Sequence, residues 1–191
     1  MPAARTRAAR RGAALVEVAV AMLVFTVASG ILLQTMAAGH GLRDSAREEW
    51  AATSAAQNVL ERLRNEAFLS IVPLYDSDPH NDPSGPGTGP GAAFDVPGLD
   101  PAPDDPDGRV GEVVLPVVNV GDEVARDWQV REDIGDARLG VPRDLSGDAI
   151  VDARDHGDDY AILPVLVSVR WNGQHGPREL RFFTSITEIA R

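Results

Sequence analysis

The sequence predicts an α+β protein in which one long N-terminal helix packs on a four-stranded antiparallel β-sheet. Three observations carry this. An apolar run opens the chain after a basic start, helical periodicity resumes once that run ends, and the last third alternates valine-rich strand signals with turns. The 191 residues divide into a basic leader (1–12), a helix (13–68, apolar all round over 13–33), a Pro/Gly/Asp-rich flexible loop (69–109) and an antiparallel β domain (110–191) that contains an acidic loop at 144–155.

Arg5, Arg7, Arg10 and Arg11 precede Gly12, and from Ala13 to Leu33 the only interruptions to apolar character are Glu17, Thr26, Ser29 and Gly30. A helix of ~20 such residues, rising ~1.5 Å each, spans a ~30 Å hydrocarbon core. The arginines hold the N-terminus in the cytoplasm, which sends the C-terminal bulk across the membrane. A cleaved signal peptide has a shorter apolar stretch, roughly 7–15 residues, and no carboxylate within it. A plain anchor leaves Glu17 without a reason, since a charge at the bilayer centre costs about 2.5–3.5 kcal/mol on insertion scales.

After Gly39-His40-Gly41, where a bend is expected, Ala46, Trp50, Thr53, Ala56, Leu60, Leu63 and Ala67 recur at steps of three and four. These positions predict a helical face that needs a sheet to cover it. Pro73 is expected to end the helix. The following stretch, rich in Pro, Gly and Asp, has too little apolar surface to offset its ordering entropy and is expected to be a flexible surface loop. Strand signals then follow at Val110–Val120, with Pro116 marking an edge or bulge, and around Trp128 and Val130. In the next segment Leu163, Val165, Val167, Val169 and Trp171 share one face, and after the turn at 172–177 Leu180, Phe182 and Ile186 share another. The last two strands predict an antiparallel hairpin.

Composition excludes several function classes. A formal net charge of −11 argues against a nucleic-acid partner, because neutralising phosphates requires clustered basic residues. Without cysteine there is no disulfide, thiolate metal cage or thiol nucleophile. His40, His80, His156 and His175 are scattered, no catalytic motif is present, and no enzyme activity is expected.

The stretch Gly12-Ala13-Ala14-Leu15-Val16-Glu17 resembles the processing site of type IV prepilins, in which a basic leader ends in Gly and the fifth residue after it is Glu. "VAVAMLVFTVASGILL" is similar to that family's helix. "AAQNVLERLR" and the closing "VSVRWNGQHGPRELRFFTSITE" look like minor pilins or the minor pseudopilins of type II secretion. Ala13 and Ala14 depart from the Phe or Met and the Thr common there. The resemblance implies cleavage between Gly12 and Ala13 by a prepilin peptidase, followed by N-terminal methylation. It also implies insertion as a single pass in the bacterial inner membrane, with the C-terminal domain in the periplasm. Other pilins or pseudopilins, the inner-membrane assembly platform and membrane lipid are the implied partners. Glu17 would then pair with the new amine of a neighbouring subunit and act as an assembly key.

A second motif lies in "DLSGDAIVDARD". Asp144, Ser146, Asp148, Ile150 (through its carbonyl), Asp152 and Asp155 occupy positions 1, 3, 5, 7, 9 and 12 of a twelve-residue calcium loop. The spacing resembles dockerin repeats, although Ala149 stands at position six where glycine makes the turn. Ca²⁺ is the expected cofactor. The alternative to a filament subunit is a membrane-anchored extracytoplasmic calcium-binding module that never polymerises.

Overall fold

The structure is a computed structural model that describes residues 4–121 and 126–188, with side chains described outside 4–14 and 37–40. It is α+β. The chain forms two compact units, one up to Ala46 and one from Arg47 onward.

The first unit is helical over its described residues. Helix α1 is continuous from Ala4 to Asn65, so the glycines at 39 and 41 do not interrupt it. From Leu15 to Met36 the apolar side chains are exposed, with Phe25 at 74% and Leu15 at 73%. Its threonine hydroxyls are satisfied internally: Thr26 donates to the Met22 carbonyl at 2.7 Å and Thr35 to the Ile31 carbonyl at 2.8 Å. Each side chain thereby supplies its own partner one turn back. The helix is long and apolar enough to cross a membrane.

In the second unit α1 buries a single stripe, Ala52, Ala56, Val59 and Leu63, at steps of four, three and four. The expected face is thus only partly the observed one. Ala56 and Leu63 belong to both, but Trp50 is 72% exposed and Val59 replaces Leu60 on the buried line. Alanine at 52 and 56 allows close approach to the sheet, which an indole on the same stripe would prevent. The helix ends at Asn65, before the expected Phe68, and a 3₁₀ turn (Phe68–Ser70) leads into the short helix α2 (Ile71–Tyr75). Pro73 lies inside α2, within the first turn, where its missing N–H has no intrahelical acceptor to lose.

The sheet has four antiparallel strands in the order β1-β2-β5-β6: β1 (Ala93–Phe94), β2 (Gly111–Val114), β5 (Ile162–Gly173) and β6 (Gly176–Thr187). The β5–β6 hairpin is in register at Val167↔Phe182 and Val169↔Leu180. Its turn closes on Gly176 at φ +109°, a conformation that favours glycine. Leu163, Val165, Val167, Val169 and Trp171 are buried with the α1 stripe in one hydrophobic cluster, and Leu180, Phe182 and Ile186 pack against it. Polar ties flank the cluster. Trp171 Nε1 donates to Glu48 at 3.1 Å, Arg178 pairs with Glu49, and the Tyr160 hydroxyl donates to the Phe68 carbonyl at 2.6 Å.

Two expectations about the strands are corrected. Pro116 splits the Val110–Val120 segment, so that its second half, β3 (Val117–Asn119), pairs with β4 (Trp128–Val130) in a separate two-stranded sheet. The fourth strand of the main sheet is instead β1, which comes from the segment expected to be a flexible loop. Residues 69–109 carry two helical turns, β1, and the buried Val96 and Ala102. Aspartates replace the missing regular hydrogen bonding: Asp76 accepts from the Asp78 N–H and from Asn81 Nδ2, Asp78 from the His80 N–H, and Asp82 from the Gly89 N–H. Gly111 closes the arrangement by letting the Phe94 ring lie against its backbone, where a Cβ would come within 2.2 Å of the ring.

The stripe generates a paired test. Leu63→Ala should lower stability by about 2–5 kcal/mol, the range for emptying a core leucine site. Trp50→Ala should change it by less than about 0.5 kcal/mol, as for an exposed position. Denaturant unfolding of the detergent-solubilised chain measures both.

Candidate functional site

The functional residues expected near the N-terminus are placed unevenly. The processing pair Gly12 and Ala13 lies outside the residues whose side chains are described. Glu17 is exposed in the apolar segment and is the one ionisable residue between Leu15 and Met36.

The acidic loop is anchored by its second residue, Leu145, which is fully buried in the core cluster. Asp144 behaves as the first residue of a tight acidic turn, its carboxylate accepting from the Gly147 and Ala149 N–H groups and from the Ser146 hydroxyl. Those N–H donors, opposed by partial burial, hold its pKa below the usual carboxylate value. Ala149 is the non-glycine residue described with positive φ, at +67°. The six expected ligands are nonetheless not drawn to one point. Arg154 lies between two of them, its Nε 2.7 Å from Asp152 Oδ2 and its Nη2 3.3 Å from Asp148 Oδ2. Asp155 faces the β3–β4 sheet, accepting from the Val130 N–H at 3.0 Å and from the Gly157 N–H at 3.0 Å. The Ile150 side chain is 57% exposed.

Among the described residues, the group of three acidic or histidine ligand atoms that does converge is Glu132, Asp152 and His156, all within 4.8 Å of one another. Only Asp152 belongs to the expected set. The backbone explains the convergence. Val130 at the end of β4 donates to Asp155 and accepts from the His156 N–H at 2.9 Å, a strand-like pairing that lays His156 beside Glu132. Glu132 is fully buried; its Oε1 accepts from the Leu145 and Ser146 N–H groups at 2.7 and 2.9 Å. Oε2 is buried without a hydrogen-bond partner, 3.5 Å from His156 Nε2.

His156 is 1% exposed, with Nε2 3.2 Å from Asp152 Oδ1 and Nδ1 2.9 Å from Asp159 Oδ1. Burial pushes the imidazole pKa down, but Asp159, Glu132 and Asp152 outweigh burial and hold it above the ordinary histidine value. Asp152 is held down to about 2, first by the Arg154 N–H and guanidinium. The arrangement therefore places a buried imidazole among three carboxylates and demands positive charge at Nε2, supplied by a proton or by a metal ion.

Sequence reasoning missed Glu132 and His156. The i, i+4 spacing of Asp152 and His156 was available as a signal, but Glu132 lies 20 residues before Asp152 and only the β4 pairing brings it in. No protein-family model, curated protein or solved structure matches the chain.

Glu132 also holds the loop entrance. Glu132→Ala strands two backbone N–H groups and should cost about 1–3 kcal/mol for each. Asp148→Ala, which removes an exposed ion pair and an exposed acceptor for the Ile150 N–H that water can replace, should cost about 0–1 kcal/mol. Denaturant unfolding in chelator-treated buffer compares them.

Proposed function

We propose that this chain is a structural subunit of a type IV pilin-like filament, either a minor pilin or a minor pseudopilin of type II secretion, without catalysis of its own. The observation that carries the reading is the 62-residue helix α1, whose exposed apolar stretch holds the single charge Glu17 five residues after Gly12. An apolar surface this continuous calls for cover by lipid or by other helices. In the proposed assembly a prepilin peptidase cuts after Gly12, removing the arginines, and the amine of Ala13 is methylated. The helix stays in the inner membrane with the second unit in the periplasm until the assembly platform passes it to neighbouring pilins or pseudopilins. Glu17 then meets a neighbour's amine in a dry core, where opposite charges attract strongly and an unpaired one is costly.

The membrane-anchored calcium module is the second reading. It is supported by Ala149, whose φ of +67° falls at the loop position where calcium loops place glycine. Ca²⁺ would have to displace the Arg154 guanidinium, which is 62% exposed and free to swing into solvent. A melting temperature that rises with millimolar Ca²⁺, returns with chelator and loses this response in Asp148→Ala supports a calcium site; identical melting in both buffers removes it.

Two measurements test the filament reading. Mass spectrometry of the membrane-extracted protein should find an N-terminus at methylated Ala13; an intact start at Met1 or Pro2 in cells with active peptidase would sink it. Glu17→Val should insert and be cleaved yet enter filaments poorly, as scored by immunoblot of sheared filaments. Normal incorporation would remove Glu17 from assembly.

A further inference from the structure

We propose that Glu132, Asp152 and His156 form a binding site for a divalent metal ion of the zinc class, ligated by Glu132 Oε2, Asp152 Oδ1 and His156 Nε2. This site shares only Asp152 with the twelve-residue calcium loop, takes its other two ligands from outside it, and is independent of whether the chain polymerises.

The first support is an unmet demand. Glu132 is fully buried, two backbone N–H groups occupy Oε1, and Oε2 has no hydrogen-bond donor. A buried carboxylate oxygen left in that state is costly, and a cation directly in front of it removes the cost. The second support is geometry. Tetrahedral zinc with bonds of ~2.0–2.2 Å to nitrogen and oxygen separates its ligand atoms by roughly 3.4 Å. Here Nε2 lies 3.2 Å from Asp152 Oδ1 and 3.5 Å from Glu132 Oε2, so two edges of such a tetrahedron are already near the required length.

The third support is the far side of the ring. Nδ1 is 2.9 Å from Asp159 Oδ1, the carboxylate–histidine arrangement that fixes the tautomer and leaves the Nε2 lone pair for a metal. The ligand types select the ion. Calcium takes six to eight oxygens at roughly 2.3–2.6 Å, whereas imidazole with two carboxylates suits zinc and its neighbours. Two carboxylates balance a 2+ charge. The Asp152 side chain is 29% exposed, which opens the remaining coordination position toward solvent. Arg154, on the outer oxygen of Asp152, is the nearby positive charge that works against binding.

The competitor is a proton, which would make the cluster a buried imidazolium with its carboxylates and nothing more. Titration of the untagged, detergent-solubilised full chain, stripped with chelator, separates the two. With Zn²⁺, calorimetry should show one ion per chain and the melting temperature should rise, then fall on adding chelator. Co²⁺ should give visible absorption of tetrahedral intensity. Asp152→Asn keeps the shape of the site and should weaken Zn²⁺ binding at least about 10-fold in a protein that still melts cooperatively without metal. Asp159→Asn should weaken it by about 10–100-fold through the ring orientation. Asp148→Ala, in the calcium loop alone, should bind Zn²⁺ as wild type does. No stoichiometric Zn²⁺ uptake by the folded wild type, uptake unchanged in Asp152→Asn, or a response to Ca²⁺ but not Zn²⁺ would each overturn the proposal.

Discussion

The packing of one narrow helical stripe on one strand governs the second unit. Ala52, Ala56, Val59 and Leu63 share a cluster with Leu163, Val165, Val167, Val169 and Trp171, and the two small alanines let the helix backbone approach the sheet. Full burial of a Val or Leu side chain contributes roughly 1.5–3 kcal/mol, so this one interface supplies a large part of what opposes chain entropy. Its ends are fixed by polar contacts: Glu48 and Glu49 on Trp171 and Arg178 at one, Tyr160 on Phe68 at the other. Tyr160 is also the residue at which the irregular segment returns to β5, so the acidic loop and the cluster around His156 inherit their positions from this packing.

The fold was legible where burial imposes a period. Strand β6 matches its alternation, and β5 carries its expected face in the core, although Pro164, Leu166 and Ser168 between those residues are buried too. Helix α1 was legible as an element but not in its rotation, since Trp50 counts as apolar in any pattern while steric approach favours Ala52. The pairing of β4 with β3 was not legible, because Pro116 marks a break without stating where the chain goes next. The order within 69–109 was hidden for another reason. Apolar content alone does not register the hydrogen bonds that aspartate side chains make to nearby backbone, and Asp76, Asp78 and Asp82 are all buried in that role.

The same property explains why the acidic residues of 144–155 were easy to notice and hard to assign. Spacing selects six candidate ligands, but each aspartate can instead serve a local N–H or an arginine, and Asp148, Asp152 and Asp155 do so. What distinguishes a carboxylate with unfilled capacity is burial, which appears only with the fold. Glu132 is the case in point. Nothing in its sequence neighbourhood separates it from Asp133, which lies at the surface paired with Arg131.

The back-bonded threonines of α1 have a consequence for how the helix exchanges surroundings. Thr26 and Thr35 each spend their hydroxyl on a carbonyl of their own helix, so neither asks anything of a neighbouring molecule. Moving the segment from one apolar medium to another therefore breaks no hydrogen bond at either threonine. Glu17 is the one ionisable residue of the segment, so the largest change in solvation between two such media falls on a single carboxylate at one end of it.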